Sequence, residues 1–290
     1  MTAGGRFDAY SVASRFGPHV TIQAGLLHRG RHWTTTTRES VKTAVIRRTR
    51  RAAATIGEDR RWRLIGGEAI VLDPARPSTL AAEPFATALA GGAVLRLGLG
   101  RLDQLIGYAE AGTAVPSSFL PTGRVLLVTR IRDELLIDGD LVLSAAGQWA
   151  RDRPPVQPVA RYAHRPTLRP ALADVPEKIA GLVQQRACGW LGVDTVSGAV
   201  ALPADWEPTT GQVRVGRGVL TAVGAALPGP VCVTLDDSVH RRPDEKLGVM
   251  LRGTGVVVDA DDTSASVALE IGRVTYWCGF DTTTTSGQAA

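Results

Sequence analysis

One short stretch of this chain concentrates the groups that could hold an anion. It reads Trp33-Thr34-Thr35-Thr36-Thr37-Arg38-Glu39-Ser40-Val41-Lys42. Thr36, Thr37 and Ser40 offer hydroxyls, and Lys42 offers a compact ammonium. A phosphate dianion is bound by that combination of hydrogen-bond donors and nearby positive charge. The apolar residues Val41, Ala44 and Val45 recur at helical spacing, so residues 39–51 read as a short helix. Its free N-terminal amides would face the same place, and Arg47, Arg48, Arg50 and Arg51 would add positive potential. Each residue also has a structural role open to it. Ser40 can cap the helix, Lys42 can be a solvated surface lysine, and Trp33 can fill a core or a barrel rim.

Other chemistries leave no mark. There is no Walker loop, metalloprotease helix or nucleophile elbow. Gly98-Leu99-Gly100-Arg101-Leu102-Asp103 begins like a dinucleotide motif but lacks the third glycine and a preceding strand. Cys188, Cys232 and Cys278 are an odd set without ligand spacing, so neither a disulfide framework nor a metal site is expected. Cys232 and Cys278 lie in apolar β-like runs, as buried free thiols do. No catalytic acid or base is fixed. His19, His28 and His32 are close in sequence to the anion motif, but the pattern does not assign their faces.

The elements that would position this motif are mostly strands. Residues 8–14, 18–28 and 31–37 are rich in Val, Ile, Thr and Tyr, with turns at Gly17-Pro18 and Arg29-Gly30. Strands return over 52–56 and 62–73. Residues 77–112 are Leu-, Ala- and Gly-rich with helical spacing and read as a helical insertion. Residues 123–145 read as a hairpin turning near Asp138-Gly139. The Pro- and Arg-rich segment 151–172 reads as a stiff linker without helix or strand, and 176–185 as a helix. Strand rhythm then continues to residue 281, before a polar tail.

The two ends of the chain echo each other. Gly67-Glu68-Ala69-Ile70-Val71-Leu72-Asp73 parallels Gly253-Thr254-Gly255-Val256-Val257-Val258-Asp259, and Ala54-Thr55-Ile56 parallels Val233-Thr234-Leu235. Each half closes with a β-rich stretch, 125–137 and 267–277. The order points to a duplicated domain rather than a short-period solenoid. The second half has no Ser-x-Lys: Gly216 to Pro230 is small and apolar, with only Arg214 and Arg217 nearby.

Taken in order, Pro18-His19-Val20-Thr21, Trp33 to Thr37, Ser40-Val41-Lys42, the Arg47-Arg48 helix end and Gly67-Glu68-Ala69-Ile70-Val71 resemble the pyridoxamine-phosphate-oxidase-like superfamily of flavin and deazaflavin proteins. The resemblance covers about a quarter of the chain well and the second half in strand pattern only. It implies a mainly β (α+β) fold of two tandem split β-barrels forming an internal pseudo-dimer. The first barrel, 6–150, would carry the helical insertion near 77–112. The linker 151–172 and a degenerate second barrel, 173–282, would follow. It implies that Ser40 and Lys42 hold the phosphate of FMN or of the deazaflavin coenzyme, and that the strand Trp33, Thr35, Thr36, Thr37 lines the ring. Trp190, Trp206, Tyr276 and Trp277 are candidates for a wall supplied by the second barrel, or for packing. The chain departs from the family pattern in starting its strands near residue 8 without a preceding helix, and in the long insertion.

The implied activity is hydride exchange with a small organic substrate, as an FMN- or deazaflavin-dependent oxidoreductase. The same fold also hosts non-catalytic cofactor or haem binders and degenerate scaffolds. What separates these readings is whether Lys42 faces an open cleft. Composition fits a soluble globular protein of 290 residues, with 44% hydrophobic and 21% charged residues and net charge +5. Its Arg, Ala, Gly and Val bias resembles high-GC actinobacterial proteins, which favours the deazaflavin, whereas the wider family favours FMN. No run of roughly 20 apolar residues is present to span a membrane, and residues 1–5 do not start like a signal peptide. A cytoplasmic location is therefore expected. The basic residues between Arg38 and Arg63 could contact phosphodiesters, but no known nucleic-acid reading motif accompanies them, so a nucleic-acid partner is not expected. Further pairing into a homodimer is left open.

Overall fold

The computed structural model describes residues 7–58, 60–100, 102–159, 168–237 and 242–286. The expected domain start at residue 6, the reading of residues 1–5, part of the linker and the end of the tail lie outside the described residues. The first half contains β1 (Phe7–Ser14), β2 (Gly17–His28), β3 (Arg31–Thr37), α1 (Val41–Thr49), β4 (Arg51–Glu58) and β5 (Arg61–Leu72). Three helices follow, α2 (Pro77–Ala81), α3 (Pro84–Leu99) and α4 (Leu102–Ala111), and then the hairpin β6 (Arg124–Asp138) and β7 (Leu141–Ala146). After the linker come α5 (Leu168–Ala171), α6 (Glu177–Gln185), β8 (Cys188–Thr195), β9 (Gly198–Glu207), β10 (Gln212–Gly216), α7 (Arg217–Val223), β11 (Gly229–Asp236), β12 (Leu247–Ala260), β13 (Ser264–Cys278) and β14 (Asp281–Ser286).

The two halves have the same topology. The first sheet runs β3-β2-β1-β4-β5-β6-β7 and closes through β3–β6; the second runs β10-β9-β8-β11-β12-β13-β14 and closes through β10–β13. Each is a six-stranded split barrel with one extra strand, so the chain is mainly β with a duplicated barrel. A register shift falls at Gly66/Gly67 in the first barrel and at Arg252/Gly253 in the second. These matching bulges bend the long hairpins at equivalent points, as a barrel wall requires. At the hairpin turn between β2 and β3, Arg29 and Gly30 both have positive φ, the geometry of a tight two-residue turn.

The barrels pack back to back on β1 and β2 of one and β8, β9 and β11 of the other. Ala9, Val20, Ala201, Cys232 and Met250 form the apolar seam, with Trp190 and Trp277 against it. Thr55 on β4 donates to the Ala201 carbonyl on β9, and Thr234 on β11 donates to the Val20 carbonyl on β2. These bonds are mates across a pseudo-twofold axis. In the ladders Val20 faces Ser11 as Ala201 faces Gly192, and Ala54 faces Tyr10 as Val233 faces Leu191.

The insertion of residues 77–112 is helical, and it lies on the outer wall of the first barrel. Ala86 and Ala93 of α3 pack on Trp33, Leu72 and Val128, while Phe85, Leu95 and Leu99 point outward. The linker differs from expectation at one point, because Leu168–Ala171 is helical around Pro170. A proline in a first helical turn removes an amide that has no intrahelical acceptor anyway. No helix among the described residues is long and apolar enough to cross a membrane.

The threonine pair supplies a test of the pseudo-symmetric seam. Thr55→Val and Thr234→Val should each cost roughly 1–3 kcal/mol, the penalty for leaving a buried acceptor short of its donor. Urea unfolding of both single variants measures it. Two variants as stable as the parent would show that the crossing bonds do not hold the barrels together.

Candidate functional site

The helix that follows β3 is tied down by the hydroxyls of the anion motif. Ser40 is the N-cap of α1 and accepts from the Thr43 amide. Its Oγ lies 3.2 Å from Thr36 Oγ1, and Thr43 Oγ1 donates to the Thr37 carbonyl at 3.1 Å. Thr36, Thr37 and Ser40 therefore meet in one capping knot. Alternation along β3 splits the remaining predicted residues. Thr34 and Thr36 face the barrel interior, whereas Trp33, Thr35 and Thr37 face out. Trp33 is fully covered by α3 and donates to the His28 carbonyl, so its indole has no free face for a ring. Thr35 is bound by the Arg124 guanidinium at 2.8 Å.

Lys42 turns inward from the first turn of α1 and is only 7% exposed. Its ammonium donates to Thr21 Oγ1 at 2.7 Å and Gln23 Oε1 at 2.8 Å, both on β2. Both acceptors are neutral, and no described carboxylate pairs with it. Burial, reinforced by the Arg124 charge, pulls its pKa down to about 7. A cation in the first turn also opposes the helix dipole, and the first turn of α1 holds no acid to offset it. Lys42 thus retains one N–H and a charge that an anion would stabilise.

The neighbouring arginines are less available than their number suggests. The buried Asp73 carboxylate takes Arg38 at 3.0 Å and Arg47 at 2.9 Å. Arg50 pairs with Glu68 and Glu83, and Arg63 with Glu134. Much of the basic face around α1 is therefore paired with carboxylates rather than free.

The interior of the first barrel is polar where its mate is apolar. Tyr10 OH lies 3.1 Å from Thr129 Oγ1, the Tyr10 ring stacks on His32, and His32 Nε2 lies 2.7 Å from Asp8 Oδ2. In the matched ladders of the second barrel, Leu191 stands for Tyr10, Leu269 for Thr129, Leu202 for Thr21 and Ala204 for Gln23. Gly25 makes room for the Asp8–His32 pair: a Cβ there would lie 1.8 Å from Asp8 Oδ2. Its mate is Trp206, buried and bonded to the Val183 carbonyl. Asp8 Oδ1, Gln23 Nε2 and His32 Nδ1 are buried without a partner. Such atoms require a solvent molecule or a ligand group.

His19, on the same face of β2 as Thr21, connects this interior to the second barrel. Its Nδ1 lies 2.8 Å from Arg252 Nη2. Burial, with Lys42 and Arg252 adding to it, lowers its pKa to about 3, so the ring is neutral and Nδ1 accepts from the guanidinium. Beside Arg252 opens a shallow cleft of about 510 Å³. The sequence pattern did not single out Thr21, Gln23, Arg124 or Arg252. The alternation of His19, Thr21 and Gln23 at every second position of one strand was the available signal.

Of the four aromatic wall candidates, Trp190 and Trp277 do lie at the seam, and Trp190 meets Trp62 edge-on at 5.1 Å. Trp206 packs inside the second barrel and Tyr276 at its edge.

No protein-family model and no curated protein matches this chain. Solved structures to which it is similar include general stress protein 26 from Bacillus anthracis, at 16% identity over 46% of this chain and 85% of that one, with a TM-score of 0.29. An F420 reductase is similar at 16% identity over 45% of this chain and 89% of its own, TM-score 0.31. A protein of the pyridoxinephosphate oxidase family from Clostridium acetobutylicum, related to general stress protein 26, is similar at 11% identity over 46% and 79%, TM-score 0.30. Each covers a little under half of this chain; the duplicated split barrel is read from the strand order itself.

The two depressed pKa values set a pH profile. The unfolded chain holds the Lys42 proton up to about 10.5 and the folded one releases it near 7, so stability should climb as pH rises from 7 toward 10. His19 gives a second climb between pH 3 and 6.5, because the unfolded ring takes a proton that the folded ring refuses. Lys42→Met should flatten the upper limb, read from urea midpoints between pH 7 and 9. An unchanged slope in that variant would show that Lys42 is not a buried, strained cation.

Proposed function

We propose that this chain binds an anionic redox cofactor, FMN or the deazaflavin coenzyme, on its first barrel and acts as an oxidoreductase on a small organic substrate. The observation that carries the reading is one-sided polarity. Two barrels of identical topology differ in that only one keeps a wall of hydroxyl, amide and ammonium groups around an uncompensated cation. A buried cation without a carboxylate costs stability unless something binds it, and selection for packing alone would have filled the first barrel as it is filled in the second.

The residues present fit a phosphate. Lys42 and Arg124 would supply charge, and Ser40 and Thr36 would supply hydroxyls by turning out of the capping knot they form here. Bound there, the flavin or deazaflavin would supply hydride exchange with the substrate. The chain's own part is to hold Lys42 close to Thr21 and Gln23, to keep His19 neutral through Arg252, and to exclude water with the apolar seam. Trp33 is not assigned a role toward the ring, because α3 covers it.

A second reading has its own observation. Lys42 is 7% exposed and faces the barrel interior rather than an open cleft, which suits a non-catalytic binder or a scaffold that has lost its cofactor. Titration of the full chain with FMN and with the deazaflavin, followed by absorbance and fluorescence, separates the two. The first reading expects saturable binding of one of them, weakened at least tenfold in Lys42→Ala. Absence of binding to either would leave the scaffold.

A further inference from the structure

Arg252 and Arg273 are register partners on β12 and β13. Two like charges directly opposite on one sheet face repel, and a carboxylate between them is the usual remedy. None is there: neither guanidinium forms an ion pair with a described carboxylate. Arg252 is 8% exposed, so solvent does not screen it fully. Its Nε points to Met250 Sδ at 3.0 Å and its Nη2 to His19, which leaves further N–H groups without an acceptor.

Both arginines line the cleft of about 510 Å³ at the seam. Among the described residues its lining contains no acid, and Ser286, the register partner of Arg273 on β14, extends the row with a hydroxyl. From the first barrel, Phe16 lines the edge of the cleft. Arg273 lies 4.4 Å above its ring and Arg15 4.5 Å from it, so the ring fixes one fork of the pair by cation–π contact. The second barrel thus contributes two forks to an open cleft that Phe16 of the first barrel borders. The mate of Arg252 on β5 is Gly66, packed under Trp149, so the pair exists on one side of the pseudo-twofold only.

We propose that Arg252 and Arg273 form an oxyanion-binding site for a carboxylate or phosphate group carried on a small molecule with an apolar body. Guanidinium forks match the two oxygens of such a group. The hydroxyls of Thr284 and Ser286 meet its outer edge, and Phe16 offers an apolar face to what carries it. This site does not depend on the flavin reading. Under that reading it would hold the anionic group of the substrate.

Calorimetric titration of the full chain with inorganic phosphate and, separately, with benzoate tests the site, at ionic strength held constant with chloride. One saturable site is expected for at least one of them, and the tighter probe distinguishes a phosphate from a carboxylate source. Arg273→Gln should weaken that binding at least tenfold. Should that variant not fold, Arg273→Lys, which keeps a charge without the fork, should weaken it several-fold. Failure of both probes to bind, or affinity unchanged by the Arg273 substitution, would overturn the proposal. Because neither probe carries a flavin ring, the outcome is separable from that of the cofactor titrations.

Discussion

Thr55 and Thr234 cross from one barrel to the other and each donates to a backbone carbonyl on the far side. Around them the seam is apolar and closely packed, so the two barrels hold one relative orientation. The contacts that join residues of the two halves depend on that constraint. Arg252 and His19 are 233 residues apart and touch only because β2 of one barrel lies against the wall of the other. The cleft beside them is bordered by residues of both barrels.

Duplication supplies two equivalent interiors, and the chain has filled them differently. The second follows ordinary packing: Leu191, Leu202, Val213 and Trp206 meet in a continuous apolar core. The first keeps Asp8, Tyr10, His32, Thr129 and Lys42 in buried or nearly buried positions. Buried polar groups are tolerated when each finds a partner, and they are costly when it does not. Most of this set is paired, but Asp8 Oδ1 and His32 Nδ1 are not, nor is the neighbouring Gln23 Nε2. The polar interior is therefore more demanding than its mate and less stable as packing. That difference is the physical basis for assigning function to the first barrel.

Charge follows the same division. The surface arginines near α1 are absorbed by Asp73, Glu68, Glu83 and Glu134, and contribute little beyond local order, as exposed ion pairs do. Lys42, Arg252 and Arg273 have no such partner among the described residues. They lie on both sides of the seam, so the unpaired positive charge is gathered there rather than spread over the surface.

The strands, the two-barrel plan and the loss of the motif in the second half were legible in the sequence. Alternation, turn residues and the echo of residues 67–73 in 253–259 are local properties of the chain. The capping role open to Ser40 was equally legible, because a cap is decided within four residues. Facing and pairing were not. Trp33 was read as a ring-lining residue, but the side of β3 on which it stands is covered by α3, and only packing decides that. The arginines around α1 looked like free charge because Asp73, which neutralises Arg38 and Arg47, lies at the end of a different strand. The opposition of Arg252 and Arg273 is set by a ladder register that a bulge shifts by one residue. Residue types and order fixed which chemistry the chain could carry; register, face and the contact of the two barrels decided which side chains meet to carry it, because those depend on distances between segments that have no signature along the chain.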